Sequence, residues 1–202
     1  MKADAPGGRA RQRMRTRKDL LEAGARLMKQ GLSPTFEEVA AEAMVSRATA
    51  YRYFPNVEAL LLEASLDVAF PDPRTFFAED GAADVLLRLD RMDAAVEEMI
   101  LANETALRTM VAQSLQRGLK GGDQVPARQN RRLPLIEAAL APERGRLDPR
   151  LYDRLGKALA LVVGTEARLV FKDVLRLPDA EAREVRRWAI RALLDAARRG
   201  SA

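Results

Sequence analysis

The run Ser46-Arg47-Ala48-Thr49-Ala50-Tyr51-Arg52-Tyr53-Phe54-Pro55 holds the residue types from which recognition of a base edge is most readily built. A helix lying in a DNA groove about 12 Å wide needs short or polar outward residues, so that its backbone approaches the bases. Arg47, Ala48, Thr49 and Arg52 supply such a face. An arginine fork pairs with guanine O6 and N7, and alanine or a threonine methyl meets a thymine methyl. Nothing in the helix's apolar stripe requires Arg47 or Thr49, whereas Arg52 also reads as a solvated surface charge. Tyr51 and Tyr53 are long enough to carry hydroxyls to flanking phosphates. Tyr51 and Phe54 stand one turn apart, so one or both also fit a core.

These residues need a scaffold, and the preceding sequence supplies one. From Arg15 to about Lys29, Leu20, Leu21, Gly24, Leu27 and Met28 recur at helical spacing, and Gly31 marks a stop. Thr35 and Glu38 form the pattern of a capping box, opening a short helix whose buried stripe is Phe36, Val39, Ala40 and Ala43. Thr35 also offers a hydroxyl and free backbone N–H groups to a phosphate. Ser46 caps a third helix from Arg47 to about Phe54; Pro55 ends it, and Asn56 caps a fourth. Two consecutive short helices joined by a tight turn make a helix-turn-helix.

The remainder also reads as helical. A helix is expected from Ala82 to Leu101, a second from about Asn103, a polar loop at 119–129, and a short helix from Leu133 to Leu140. Asp148-Pro149 opens a helix expected to reach about Leu175, some 40 Å long. A last helix follows Pro178, with Val185, Trp188, Ala189, Ala192, Leu193 and Ala196 on one side and arginines on the other.

Composition limits the alternatives. The 202 residues are 48% hydrophobic and 31% charged, the balance of a folded chain with a full core. Ala, Leu, Arg and Glu dominate, which favours an all-α fold. Cysteine and histidine are both absent, removing disulfides, thiolate nucleophiles, Cys/His zinc sites and imidazole catalysis. No catalytic residue, metal or cofactor is therefore expected. No apolar run approaches the roughly 18 residues of a membrane span, and no apolar segment follows the charged N-terminus, so a cytoplasmic protein is expected. The net charge is +5, concentrated at the start: residues 1–18 hold Lys2, Arg9, Arg11, Arg13, Arg15, Arg17 and Lys18 against Asp4. A basic arm of this kind suits phosphate backbone, anionic lipid or plain solvent.

Thr35-Phe36-Glu37-Glu38-Val39-Ala40, followed by Val45 to Phe54 and then Pro55-Asn56-Val57-Glu58-Ala59-Leu60, closely resembles the DNA-binding signature of the tetracycline-repressor (TetR) family. The resemblance covers about residues 15–65. It implies an N-terminal three-helix helix-turn-helix domain (15–69) behind a flexible arm (1–14), and a C-terminal helical ligand-binding and dimerisation domain (70–200). It further implies a homodimeric, ligand-released repressor of a palindromic double-stranded operator. DNA contacts then fall on Arg15, Arg17, Thr35, Ser46, Arg47, Ala48, Thr49, Tyr51, Arg52 and Tyr53. Two positions depart from the family pattern. Met44 stands where glycine is usual, in a turn that favours positive φ, and Val57 replaces a phosphate-binding lysine, with Arg15 and Arg17 the expected substitutes.

For a small-molecule effector the hints are thinner. Leu89, Met92, Met99, Met110 and Val163 fit an adaptable apolar pocket or plain core. Glu166, with Arg168, fits a ligand contact or an interface hydrogen-bond network. The expected dimer interface takes Leu155, Leu159, Val162 and Val170 from the penultimate helix, apolar on more than one side, and Trp188 and Ala192 from the last. Rival readings are a membrane-surface or protein-interaction module using the basic arm, an enzyme with a Glu- or Lys-lined pocket, and an activator or nucleoid-type binder of the same fold.

Overall fold

The computed structural model describes residues 8–31, 33–78, 84–119 and 130–200, and those residues form helices and connecting turns without a strand. In chain order the helices are α1 (Gly8–Lys29), α2 (Phe36–Glu42), α3 (Arg47–Tyr51), α4 (Val57–Ala69), α5 (Val85–Ala102), α6 (Glu104–Leu119), α7 (Arg132–Ala139), α8 (Pro149–Val162), α9 (Thr165–Leu169) and α10 (Asp179–Arg199). The fold is all-α, as the residue types dictate. Residues 1–7, the expected helix start at Ala82 and most of the expected loop at 119–129 lie outside the described residues.

The chain divides into two compact units, Met1–Ala69 with Glu104–Gln129, and Phe70–Asn103 with Asn130–Ala202. In the first, α1 packs along α4 and against α2. The core is built on Leu20, Leu21, Phe36, Val39, Ala50, Phe54 and Leu60. Gly24 is a contact point between α1 and α4: a Cβ there would lie 2.8 Å from Leu60 Cδ2, so a larger residue would need that leucine side chain to shift. Helix α6 also packs on α4.

Helix α1 begins at Gly8, seven residues before the expected start, so the helix runs into the expected arm over residues 8–14. Arginine is a good helix former, and the absence of an apolar stripe there does not prevent propagation from the packed turns that follow.

In the second unit α8 packs on α7 and α10, and α5 on α7 and α10. Asp148 caps α8 by accepting from Arg150 N and Leu151 N, with Pro149 in the first turn. The expected single helix to Leu175 is broken. Val163 is extended, Gly164 has φ +116°, α9 restarts at Thr165, and a π-helical turn spans Val170–Val174. The break has a side-chain cause. Arg132 donates from Nη1 to Ala160 O at 2.6 Å and pairs with Glu166, placing its guanidinium where a Cβ on residue 164 would stand.

The last helix places an arginine on its buried side. Its buried residues are Ala182, Arg186, Ile190, Leu194 and Ala197, whereas Trp188 and Val185 face outward. Arg186 is accommodated inside because buried carboxylates await it. Its Nε donates to both Asp93 oxygens (2.8 and 2.9 Å), and its Nη1 lies 3.0 Å from Glu97 Oε2. Arg168 completes the cluster at 2.8 Å from Glu97 Oε1. Burial pushes the Asp93 carboxyl above the ordinary aspartate value, and Arg186 opposes that rise.

Candidate nucleic-acid interface

Helices α2 and α3 are set by local chemistry. The Thr35 hydroxyl accepts from Glu38 N at 3.3 Å, and Glu38 Oε2 accepts from Thr35 N at 2.7 Å, completing the capping box. Those bonds to Thr35 hold the Glu38 carboxyl below its usual range. The Ser46 hydroxyl accepts from Thr49 N at 3.1 Å and caps α3. Between them the chain reverses through Met44 at φ 55°, and Val45 N donates to Ala40 O at 2.9 Å.

Met44 is almost fully exposed and gains no packing from its left-handed backbone. A side chain in that region costs roughly 1–2 kcal/mol relative to glycine. Met44→Gly is therefore expected to stabilise the protein by about 1 kcal/mol after glycine's own entropic cost. Urea unfolding of both proteins measures this; a less stable glycine variant would show that the turn is not strained.

Helix α3 is shorter than its expected run to Phe54. After Tyr51 the backbone continues in turns, with Tyr53 N and Phe54 N both donating to Ala50 O. That course carries Tyr53 and Phe54 into the core, where they are 6% and 2% exposed. Ser46, Arg47, Ala48, Tyr51 and Arg52 remain exposed and Thr49 half-buried. One face of a two-turn segment thus collects most of the expected contact residues, while its other face, through Ala50 and Phe54, anchors it.

Arg47 is held in place. Its Nη1 lies 2.5 Å from Glu37 Oε1, its Nη2 donates to the Tyr51 hydroxyl at 3.3 Å, and its guanidinium stands 5.4 Å from the Tyr51 ring centroid. The Tyr51 ring in turn lies against Phe36, with centroids 4.3 Å apart. The Tyr51 hydrogen bond and the Glu37 charge raise the Arg47 pKa further, so it stays a cation. The partnership with Glu37 crosses from α2 to α3 and has no signature in local spacing.

Two expected contacts are relocated. Arg17 does not face outward: it is 3% exposed, and both its terminal nitrogens bond Glu63 at 2.6 Å while its guanidinium covers the Phe54 ring at 4.6 Å. It therefore ties α1 to α4 and is no substitute for the lysine absent at Val57. Tyr53 lies in the core, leaving Tyr51 as the exposed tyrosine of the pair. Arg15 stays exposed on α1, and Thr35 is exposed at the start of α2.

Of the expected effector residues, Leu89, Met92, Met99 and Val163 are buried in the second unit, Glu166 there pairs with Arg132, and Met110 belongs to the first unit. Of the expected interface residues, Leu155 and Leu159 are buried within their own unit. Val162 and Ala192 are half-buried, while Val170 and Trp188 are exposed, Trp188 by 73%. Leu161 and Val174 are exposed apolar residues that sequence periodicity did not single out. No helix among the described residues is long and apolar enough to cross a membrane.

Residues 20–64 match the family described as bacterial regulatory proteins, tetR family. No curated protein matches the chain. The matched segment spans the end-to-end course from the buried face of α1, through α2 and α3, to the Glu63 that holds Arg17. Residues 20–64 are thus a DNA-binding domain of the kind found in bacterial regulatory proteins of the tetR family, which implies a DNA-binding transcriptional regulator.

Proposed function

We propose that the protein is a cytoplasmic, homodimeric repressor that binds a palindromic operator and is released by a small-molecule effector. The observation that carries the reading is the exposed face of α3, capped by Ser46 and anchored through Ala50 and Phe54. On this reading Arg47, Ala48, Thr49 and Arg52 meet base edges, while Arg15, Thr35, Ser46 and Tyr51 meet phosphates. Residues 15–69, with α6 packed on α4, form the DNA-binding unit, and the remainder of 70–200 the sensing and dimerisation domain. The effector shifts the equilibrium by its differential affinity for two arrangements of the dimer.

Arg47→Ala should lower affinity for the selected operator by about 1–3 kcal/mol and relax preference at one base pair in each half-site. Arg15→Ala should weaken all sequences alike and reduce the salt slope by about one. Titration of both variants against operator and random DNA separates the roles; equal losses on both DNAs from Arg47→Ala would remove it from base reading.

Dimerisation is supported by Trp188, Val185, Val170 and Leu161, apolar side chains left exposed on the second unit. Two recognition helices about 34–36 Å apart then enter successive major grooves. A buried tryptophan at an interface is commonly worth about 2 kcal/mol or more. Trp188→Glu should therefore raise the dimer dissociation constant by about 30-fold or more, as read by sedimentation. An unchanged constant would place the interface elsewhere.

A further inference from the structure

The arginine on the exposed face of α3 is held by the helix before it. We infer that Glu37 of α2 is a specificity-determining residue, which positions the Arg47 guanidinium for a guanine and weakens binding to DNA of other sequence. This role rests on the proposed base-reading role of Arg47.

Three contacts fix the guanidinium. Its Nη1 lies 2.5 Å from Glu37 Oε1, its Nη2 donates to the Tyr51 hydroxyl at 3.3 Å, and it stands 5.4 Å from the Tyr51 ring centroid. The Tyr51 ring is itself fixed, because its centroid lies 4.3 Å from that of Phe36, a buried member of the core. Phe36 and Glu37 are the first two residues of α2. One short helix therefore supplies both the carboxylate and, through Tyr51, the platform that set the direction of Arg47.

Stability does not account for the pair. The Arg47 and Glu37 side chains are 59% and 53% exposed, and an ion pair so open to solvent adds little to folding. Its consequence falls on binding. A free arginine loses rotamer freedom when it docks on a base, whereas one already held loses less and cannot swing to a neighbouring acceptor. Holding does not exhaust the donors. Each terminal nitrogen carries a second hydrogen and Nε carries another, enough for guanine O6 and N7. The Tyr51 hydroxyl, accepting from Arg47, keeps its own hydrogen for a phosphate.

Charge gives Glu37 its second effect. On a sequence without guanine in register, an unpaired Arg47 would serve any phosphate within reach. Glu37 offsets that charge and itself repels phosphate, so sequence-blind binding is weakened. The same carboxylate thus favours the correct base and penalises other sequences.

The test is selection from a randomised duplex library by the full chain and by Glu37→Ala, Glu37→Gln and Arg47→Ala, with circular dichroism confirming each fold. Selected and random duplexes are then titrated at two salt concentrations. The parent is expected to select a guanine that Arg47→Ala no longer selects. Glu37→Ala should weaken that same preference about three- to tenfold, yet bind random duplex more tightly, with a salt slope steeper by about one per subunit. Glu37→Gln keeps an oxygen that accepts from Arg47 but not the charge. It should bind random duplex like the alanine variant while retaining most of the guanine preference. A residue that merely supported the fold would weaken both duplexes alike. Full guanine preference in Glu37→Ala, or parental affinity of both Glu37 variants for random duplex, would overturn the role of Glu37 and leave base reading by Arg47 in place. If Arg47→Ala itself keeps every base preference of the parent, base reading by Arg47 fails, and the role of Glu37 with it.

Discussion

Arg17→Ala is expected to lower the unfolding free energy by about 3–5 kcal/mol. The reason is the two bonds that buried Glu63 loses. Glu63 is 4% exposed, and without Arg17 its buried carboxylate loses the two 2.6 Å charge-assisted bonds that this arginine supplies. For a chain of this length each kcal/mol lowers Tm by about 2–4 °C, so a fall of about 10 °C is expected. Arg17→Leu combined with Glu63→Leu should recover much of the loss, because replacing both members of a buried pair leaves no uncompensated charge. The opposite role, a phosphate contact, makes a different prediction: unchanged Tm and weaker DNA binding. Thermal melting of Arg17→Ala alone therefore separates a structural clamp from a DNA contact, and an unaltered Tm contradicts the clamp.

The second large effect belongs to the other unit. Arg186→Ala should also cost about 3–5 kcal/mol, since it strips Asp93 of both bonds and removes a partner from Glu97. This loss should depend on pH. Burial already raises the Asp93 carboxyl, with Glu97 and Asp90 adding to the rise and Arg186 opposing it. A carboxyl whose folded pKa exceeds its unfolded pKa binds more protons in the native state, so stability falls as pH rises through that window. Removing Arg186 takes away the opposing influence and widens the window upward. The deficit of Arg186→Ala relative to the parent should then be smaller near about pH 5 than near about pH 8 in urea unfolding. A deficit equal at both pH values, or larger in acid, would show that Asp93 is not the group left uncompensated.

Both arginines illustrate what a sequence conveys and what it conceals. Local devices are legible because their partners lie within four residues: the Thr35–Glu38 box, the Ser46 and Asn56 caps, and Asp148 before Pro149. The left-handed turn at Met44 was expected only through the resemblance to a family that has glycine there. Arg17 shares a helical face with Leu20, Leu21 and Gly24, but a charge on that face reads as buried only once a partner is known, and it was expected instead as a DNA contact. That partner is 46 positions away. Arg186 likewise falls on the stripe of Ala182 and Ile190, and its carboxylate is 93 positions distant. The break before α9 was hidden because Val162-Val163-Gly164 continues an apolar helical pattern, and the Arg132 that occupies the gap comes from α7. Of the recognition face, exposure and capping follow from sequence, whereas the hold of Glu37 on Arg47 does not.

The most direct test of the regulator account is selection of genomic fragments by the purified protein, followed by titration of the recovered sequence against random DNA at two salt concentrations. The account predicts a palindromic sequence bound about a thousandfold or more above random DNA, with that ratio persisting as salt rises. Tight but sequence-blind binding that collapses with salt would instead reduce the protein to an electrostatic binder acting through its basic first helix, and would contradict the role assigned to α3.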